Sequence, residues 1–154
     1  MKTAVVLVNM GGPENQGDVQ TFLYNLFSDK DLIKFPFGNR GQRFCAKFIS
    51  KWRAYKLVKL YNYIGGGSPI QYNTVKQARV LESILQEDGD FRVFTAQKYW
   101  HPSIPEVTAL LKDSKFDHII LLPLFPQHSN ITTLSVINEW VRNGSHLIAP
   151  KIVQ

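Results

Sequence analysis

The residues best suited to chemistry are cations concentrated in one stretch of the chain. Seven of them lie between residues 40 and 59, and the sequence has no Asp or Glu between Asp31 and Glu82. Such a run favours an acidic partner: phospholipid headgroups, nucleic acid, or a small ligand that carries carboxylates. A solvated helix face explains the same charges equally well. Because no nucleic-acid-binding motif occurs elsewhere, we expect no nucleic acid partner.

A second candidate is the glycine turn, Ile64–Ile70, in which three glycines precede Ser68 and Pro69. Glycine accepts positive φ and has no side chain, so the run lets the backbone approach another element or a ligand closely. Ser68 can cap a helix, and Pro69 suits the first helical position. Local chemistry alone favours a helix entry over a ligand-binding loop.

The loop Phe125–Thr133 mixes an aromatic ring, hydroxyls and an amide, although a helix cap at Thr132 or Thr133 would account for part of it.

The histidines are scattered and form no closed metal site, and only His128 lies in this loop. The single cysteine, Cys45, excludes an internal disulfide and any cluster ligated wholly within the chain. We therefore expect no metal site and a reducing compartment.

Composition and motifs exclude several other classes of protein. The apolar fraction is 44%, and no apolar run reaches the roughly 18 residues that a membrane span needs. The segment Met1–Val8 lacks a small-residue cleavage site, so we expect a strand and not a signal peptide. The sequence Gly11-Gly12-Pro13 is too short for a dinucleotide fingerprint. No phosphate-binding loop and no nucleophile elbow occur.

Apolar segments typical of strands alternate with segments of helical periodicity. The predicted strands are Lys2–Val8, Phe91–Tyr99, Ile119–Leu124 and His146–Val153. This alternation predicts an α/β fold: one doubly wound lobe over residues 1–154, with a mostly parallel four-stranded sheet and helices on both faces. Ligands of such sheets bind beyond the carboxyl ends of the strands, which selects the loops Asn9–Pro13, Lys98–Pro102 and Phe125–Thr133.

Five helices are predicted, with caps at Asp18 for the first and at Ser103, paired with Glu106, for the fourth. The second helix has a cationic side and an apolar side, and the sequence leaves open what the apolar side contacts. Its cations cover one side, and its apolar side could pack inward or lie on a membrane surface. The predicted apolar faces are Val19, Phe22, Leu23, Leu26 and Phe27 in the first helix; Phe44, Phe48, Ile49, Trp52 and Tyr55 in the second; Val75, Ala78, Leu81 and Leu85 in the third; Val107, Leu110 and Leu111 in the fourth; and Ile137, Trp140 and Val141 in the fifth.

Four motifs occur together in one order: LVNMGGPE at Leu7–Glu14, Y-x-x-IGGGSPI at Tyr61–Ile70, Y-x-HP at Tyr99–Pro102, and LP-x-x-PQ-x-S-x-x-TT at Leu122–Thr133. With these motifs the chain resembles the ferrochelatase family, in its proteobacterial and mitochondrial branch. The resemblance runs from about Lys2 to Trp140 and covers only the N-terminal lobe of the family.

The resemblance implies insertion of ferrous iron into protoporphyrin IX, with ferrous iron as a substrate and no cofactor expected in this chain. The family's catalytic histidine and glutamate belong to a C-terminal lobe that has no counterpart here. We therefore expect a fragment, an isolated domain or a truncated gene product that is inactive alone. The implied partners are protoporphyrin IX, ferrous iron, the C-terminal lobe and a membrane surface. The implied location is the cytoplasm, at the periphery of the inner membrane.

The resemblance also implies a set of porphyrin-contacting residues. Cationic side chains would pair with the propionates, hydroxyls would donate neutral hydrogen bonds, and a thioether would pack under the macrocycle. The implied contacts are Met10, Arg53, Lys56, Tyr61, Ser68, Lys98, Tyr99 and Ser129. This chain departs from the family pattern at Lys98, where arginine is common, and at Phe125, His128, Ile131 and Leu134.

Overall fold

The computed structural model describes residues 1–36, 38–126, 129–144, 147 and 149–153, and only the backbone of residues 130 and 131. Its elements are β1 (Lys2–Asn9), α1 (Val19–Ser28), α2 (Gly38–Asn62), α3 (Ile70–Leu85), β2 (Asp90–Gln97), α4 (Ile104–Lys112), β3 (His118–Pro123), α5 (Ser135–Gly144) and β4 (Lys151–Ile152). The chain divides into two compact units, one of Met1–Met10 with Tyr72–Gln154 and one of Gly11–Gln71. A single lobe over residues 1–154 stays a prediction.

The first unit is built on a four-stranded sheet in the order β2-β1-β3-β4, in which every pairing is parallel. The residues of β1 alternate between its two faces. Val6 and Val8 pack in a cluster with α4 and α5, and Leu7 packs with Ala78 of α3 on the other face. Because both faces are covered, the sheet interior is apolar at consecutive positions. The predicted α/β, doubly wound architecture is confirmed.

Some details of the predicted elements are wrong. The fourth strand was predicted over His146–Val153, but the described strand is only Lys151–Ile152, and residues 146 and 148 lie outside the described residues. Ala149 and Pro150 precede this strand outside the ladder, and a proline within an apolar run argues against a longer strand. Leu110 and Val141 were predicted to be buried but are exposed. Leu111 and Trp140, predicted on the same two faces, are buried against the sheet as expected.

The second unit is a pair of helices, α1 and α2. Val19, Leu23 and Phe27 form the buried face of α1, as predicted. Asp18 makes no side-chain cap for α1, contrary to the prediction. Its carboxylate instead accepts from the amide of Asn15 at 3.2 Å, closing a capping box around the short 3-10 turn Gln16–Asp18.

The inner row of α2 consists of Gln42, Ala46, Ser50 and Ala54, four small or polar residues at every fourth position. Ala46, Ser50 and Ala54 let two helices approach each other closely, because their side chains are small. The aromatic stripe of α2, defined as Phe44, Phe48, Trp52 and Tyr55, is therefore turned outward, with exposed fractions of 74%, 71%, 67% and 70%. Of the two interpretations that the sequence left open, inward packing of these four rings is wrong.

The capping box predicted at the start of α4 is confirmed. Ser103 Oγ accepts from the amide of Glu106, and the Glu106 carboxylate accepts from the amide of Ser103 at 2.6 Å. His101 Nδ1 lies 2.9 Å from the same carboxylate. These hydrogen bonds lower the pKa of Glu106 from 4.5 to about 2. The bond from the Ser103 amide has the largest effect and the one from His101 the next largest.

This geometry predicts an acid-sensitive helix start. Because the folded-state pKa of Glu106 is lowered, its stabilising contribution is complete above about pH 4.5 and is lost as the pH falls towards 2. The exposed carboxylate is screened, so we expect Glu106→Gln to lower the free energy of unfolding at pH 7 by only about 1 kcal/mol, or about 2–4 °C in Tm. Thermal melts of both proteins from pH 7 to pH 3 should converge with falling pH. A constant difference in Tm across that range would contradict this account.

Candidate functional site

A groove of about 590 Å³ lies between α1 and α2 in the second unit. We call it the α1/α2 groove. Its lining is Leu23, Leu26 and Phe27 from α1 and Trp52, Arg53, Lys56, Leu57 and Leu60 from α2. Apolar side chains dominate this lining, and two cations stand among them. A flat, apolar ligand that carries negative charge suits such a groove.

Both cations of the groove come from the same helix face, because Arg53 and Lys56 are three residues apart in α2. The Arg53 guanidinium carbon lies 5.9 Å from the centre of the Phe27 ring, and Lys56 Nζ lies 5.5 Å from the centre of the Trp52 ring. Among the described residues, no carboxylate forms an ion pair with either cation. Their charges therefore remain available to an anionic ligand.

Tyr61 belongs to the same unit and lies near the end of α2. Its side chain packs partly buried against the α1/α2 core, and this burial raises the pKa of its phenol above the ordinary 10.0. The hydroxyl is thus protonated at neutral pH and can donate a hydrogen bond. The Tyr61 carbonyl accepts from the amide of Gly66 at 2.8 Å, which ties the glycine turn to the end of the helix.

The glycine turn closes tightly on the segment after β1. The amide of Ser68 donates to the carbonyl of Pro13 at 2.7 Å. A Cβ added to Gly67 would lie 2.6 Å from the carbonyl carbon of Glu14, and one added to Gly12 would lie 2.6 Å from Ser68 Cβ. Of the three glycines, Gly67 makes the close backbone approach that the run allows, whereas Gly65 has no atom within 4 Å of an added Cβ.

The predicted start of α3 is confirmed as well. Ser68 Oγ accepts from the amide of Ile70 at 3.4 Å, and Pro69 lies between them, immediately before the first residue of α3. Gly65 and Gly66 have φ of 95° and 90°, a backbone conformation that favours glycine. Ser68 thus serves as the helix cap, and its predicted contact with a ligand stays a prediction.

In the sheet unit, three of the predicted site residues come together at the carboxyl ends of β1 and β2. The amide of Tyr99 donates to the carbonyl of Met10 at 2.9 Å, and the amide of Lys98 donates to that of Asn9 at 2.9 Å. Lys98 is only 7% exposed, and its Nζ lies 5.3 Å from the centre of the Tyr99 ring. These are loops that the strand-end rule selected.

Ser129, the fourth predicted contact of this unit, caps a helix. Its Oγ accepts from the amide of Thr132 at 3.2 Å at the start of a π-helical turn, Asn130–Leu134, which leads into α5. The prediction that Thr132 or Thr133 starts the helix is wrong. Ser129 is the cap residue, because its backbone is extended and its hydroxyl accepts the capping hydrogen bond. The prediction for His128 lies outside the described residues.

Two residues that line the groove, and one that lies behind it, were not recognised from the sequence. Phe27 has the spacing of a core residue in α1, and its ring also faces Arg53. Trp52 was assigned to the apolar side of α2 and also lines the groove. Gln42 was not singled out, although it begins the small-residue row of α2. That row was the signal in the sequence that could have identified the inner face.

The described residues include no group of three or more His, Cys, Asp or Glu side chains arranged to hold a metal ion. Within the same part of the chain, none of the helices combines the length and the apolar character that crossing a bilayer requires.

Comparison with known proteins places these features in a family. The ferrochelatase family model matches residues 2–153. The chain is 45% identical over 149 residues to the ferrochelatase of Sulfurihydrogenibium sp. (strain YO3AOP1), covering 97% of this chain and 43% of that protein. It is 45% identical over 146 residues to the ferrochelatase of Wolbachia sp. subsp. Drosophila simulans (strain wRi), covering 94% of this chain and 46% of that protein. It is 41% identical over 152 residues to the ferrochelatase of Aquifex aeolicus (strain VF5), covering 99% of this chain and 47% of that protein. The chain thus spans less than half the length of these relatives, and it belongs to the ferrochelatase family.

Proposed function

We propose that this chain is the porphyrin-binding N-terminal lobe of a ferrochelatase, which inserts ferrous iron into protoporphyrin IX for haem synthesis. The observation that carries the proposal is the α1/α2 groove, an apolar surface with Arg53 and Lys56 on one helix face. Protoporphyrin is a flat apolar macrocycle with two propionates on one edge. Apolar contact with the ring and charge-assisted hydrogen bonds to the propionates use both properties of the groove.

The other predicted contacts extend this proposal. Tyr61 would donate a neutral hydrogen bond, which its raised pKa favours. Ser68 would add a second hydroxyl. In the sheet unit, the close association of Met10, Lys98 and Tyr99 supports a joint role, with the thioether of Met10 packing against the ring. Ser129 would contribute its hydroxyl beyond its role as a cap.

The overall reaction exchanges two pyrrole N–H protons for one ferrous ion, so it needs a base as well as a bound and distorted macrocycle. Holding the ring is the part that we assign to this lobe, since binding contacts supply the free energy that distortion costs. The base would come from the histidine and glutamate of a C-terminal lobe. We therefore expect the 154-residue chain to bind porphyrin weakly and to insert no metal.

Metallation of protoporphyrin by zinc, followed by fluorescence, tests this division of labour. The chain alone should change the porphyrin absorbance without accelerating metallation. Metal insertion well above the uncatalysed rate would contradict the assignment of chemistry to another lobe. An unchanged porphyrin spectrum at high protein concentration would contradict the binding role itself.

A second candidate function is attachment to a membrane surface, and the aromatic stripe of α2 favours it. Its four rings are exposed on one helix face, and Lys59 Nζ lies 4.5 Å from the centre of the Tyr55 ring. Exposed aromatic rings beside lysines are typical of helices that lie at the interface of anionic bilayers. Such attachment would place the protein at the periphery of a membrane, where an apolar porphyrin dissolves.

Sedimentation with vesicles containing about one third phosphatidylserine tests membrane attachment. We expect Phe44→Ser with Phe48→Ser to abolish sedimentation while porphyrin binding persists, because neither residue lines the α1/α2 groove. Val80→Ser with Ile84→Ser is the matched control, since both residues are exposed on α3. Equal sedimentation of the two double variants would contradict a role for the stripe.

A further inference from the structure

The side chain of Gln42 is buried at a point where α1, α2 and the segment between them meet. It lies in the first part of α2 and is only 2% exposed. Its amide nitrogen donates to the carbonyls of Phe27 and Ile33, each at 2.8 Å, and its amide oxygen accepts from the amide of Phe35 at 2.9 Å. Three of the four hydrogen bonds that a glutamine can form are therefore made to backbone groups of other segments.

These hydrogen bonds satisfy backbone carbonyl and amide groups that have no partner within a helix. Phe27 lies in the last turn of α1, where helix carbonyls lack an intrahelical partner. Ile33 and Phe35 lie in the irregular segment before α2, whose backbone has no ladder to join. Replacing Gln42 with an apolar side chain would leave these backbone groups buried without a hydrogen-bond partner. Each unsatisfied group would favour a rearrangement of the segment between α1 and α2.

Phe27 connects this arrangement to the α1/α2 groove. Its carbonyl receives the hydrogen bond from Gln42, while its ring lines the groove 5.9 Å from the Arg53 guanidinium carbon. Gln42 itself does not line the groove, and it precedes Arg53 by eleven positions in the helix, or about 16 Å. Any effect of Gln42 on a ligand must therefore pass through the position of α1 and of Phe27.

We propose that Gln42 is a positioning residue for the porphyrin site: it fixes the end of α1 against α2 and so sets the Phe27 ring beside Arg53. The ligand part of this inference rests on the proposed function, whereas the positioning of Phe27 does not. Loss of the amide would let the end of α1 move away from α2. The groove would then lose its shape while Arg53 and Lys56 remained on the helix.

Two readouts on Gln42→Met test the inference, with Ala46→Gly as the matched control in the same buried row of α2. Porphyrin affinity is measured by absorbance, under conditions where denaturation curves show both variants fully folded. We expect Gln42→Met to raise the dissociation constant at least about fivefold, and Ala46→Gly to change it less than about twofold. Nuclear Overhauser contacts between the Phe27 ring and the Arg53 side chain should weaken in Gln42→Met only.

A folded Gln42→Met that keeps both the affinity and the Phe27–Arg53 contacts would overturn the inference, and a loss of affinity in Arg53→Gln would then leave the proposed function standing. If the unaltered chain bound no porphyrin, the proposed function would fail, and the Phe27–Arg53 contacts alone would decide the positioning. If Gln42→Met did not fold, hydrogen exchange of the Phe35 amide in the unaltered chain would test whether Gln42 holds this segment in place. Protection comparable to that of α2 supports the inference, and exchange at the rate of an open loop overturns it.

Discussion

Replacing Arg53 and Lys56 together with glutamine should raise the dissociation constant for protoporphyrin about thirtyfold, because each cation contributes about 1 kcal/mol to holding a propionate. A larger effect is not expected, since both side chains are exposed and water screens their charges. Absorbance titration measures the change directly. Glutamine retains a hydrogen-bonding amide and much of the aliphatic stem, so the substitution removes charge more than it removes contact area.

The matched control is Arg43→Gln with Lys51→Gln. It removes the same two charges from the same helix, at positions that do not line the α1/α2 groove. We expect this control to bind porphyrin within about twofold of the unaltered chain, because distant exposed charges are screened at physiological salt. Equal weakening in the two double variants would mean that net charge, and not the groove, attracts the porphyrin.

Replacing Gly67 with alanine should lower the free energy of unfolding by about 3 kcal/mol, or about 6–12 °C in Tm. The added Cβ would fall 2.6 Å from the carbonyl carbon of Glu14. The neighbouring atoms belong to backbone, so no side-chain rotation relieves the overlap. The hydrogen bond from the Ser68 amide to Pro13, which holds the two segments together, would have to lengthen.

Gly65→Ala is the control for this prediction. Its φ of 95° strains an alanine, but no atom lies within 4 Å of the added Cβ. We expect a cost of about 1 kcal/mol from backbone strain alone. Thermal melts of the two variants should therefore differ by several degrees. Equal melting temperatures would show that the close approach at Gly67 does not contribute to stability.

The architecture of this chain could be predicted because its strands and helices have distinct periodicities. β1 is apolar at consecutive positions since α3 covers one of its faces and α4 and α5 cover the other. The box of Ser103 and Glu106 and the cap at Ser68 were predicted from local residue types, and both are confirmed because these hydrogen bonds join near neighbours in sequence. Local chemistry is sufficient where the partner lies within a turn.

Packing between distant segments was harder to predict. The aromatic rings of α2 have helical spacing, and hydrophobicity alone left their burial undecided. The inner face is made instead by Ala46, Ser50 and Ala54, because close approach to α1 needs small side chains. The role of Gln42 also depends on backbone groups up to fifteen residues away, which no local pattern reveals.

The ferrochelatase motifs identified the family, but they do not establish how each matched residue acts here. Ser68 and Ser129 show the difficulty, since each hydroxyl already caps a helix or helical turn. Arg53 and Lys56 differ from them because both line a groove of suitable character and neither pairs with a carboxylate among the described residues. The α1/α2 groove is therefore the feature on which the proposed porphyrin binding depends.

Titration of the unaltered chain with protoporphyrin and with its dimethyl ester tests whether this groove binds the porphyrin through its propionates. The two ligands share the macrocycle, and in the ester a neutral methyl ester replaces each propionate carboxylate. We predict saturable binding of the free acid at one site, with the ester at least about tenfold weaker at low salt and the difference shrinking as salt is added. Equal affinity for acid and ester, or no saturable binding of either, would contradict a groove in which Arg53 and Lys56 hold the propionates.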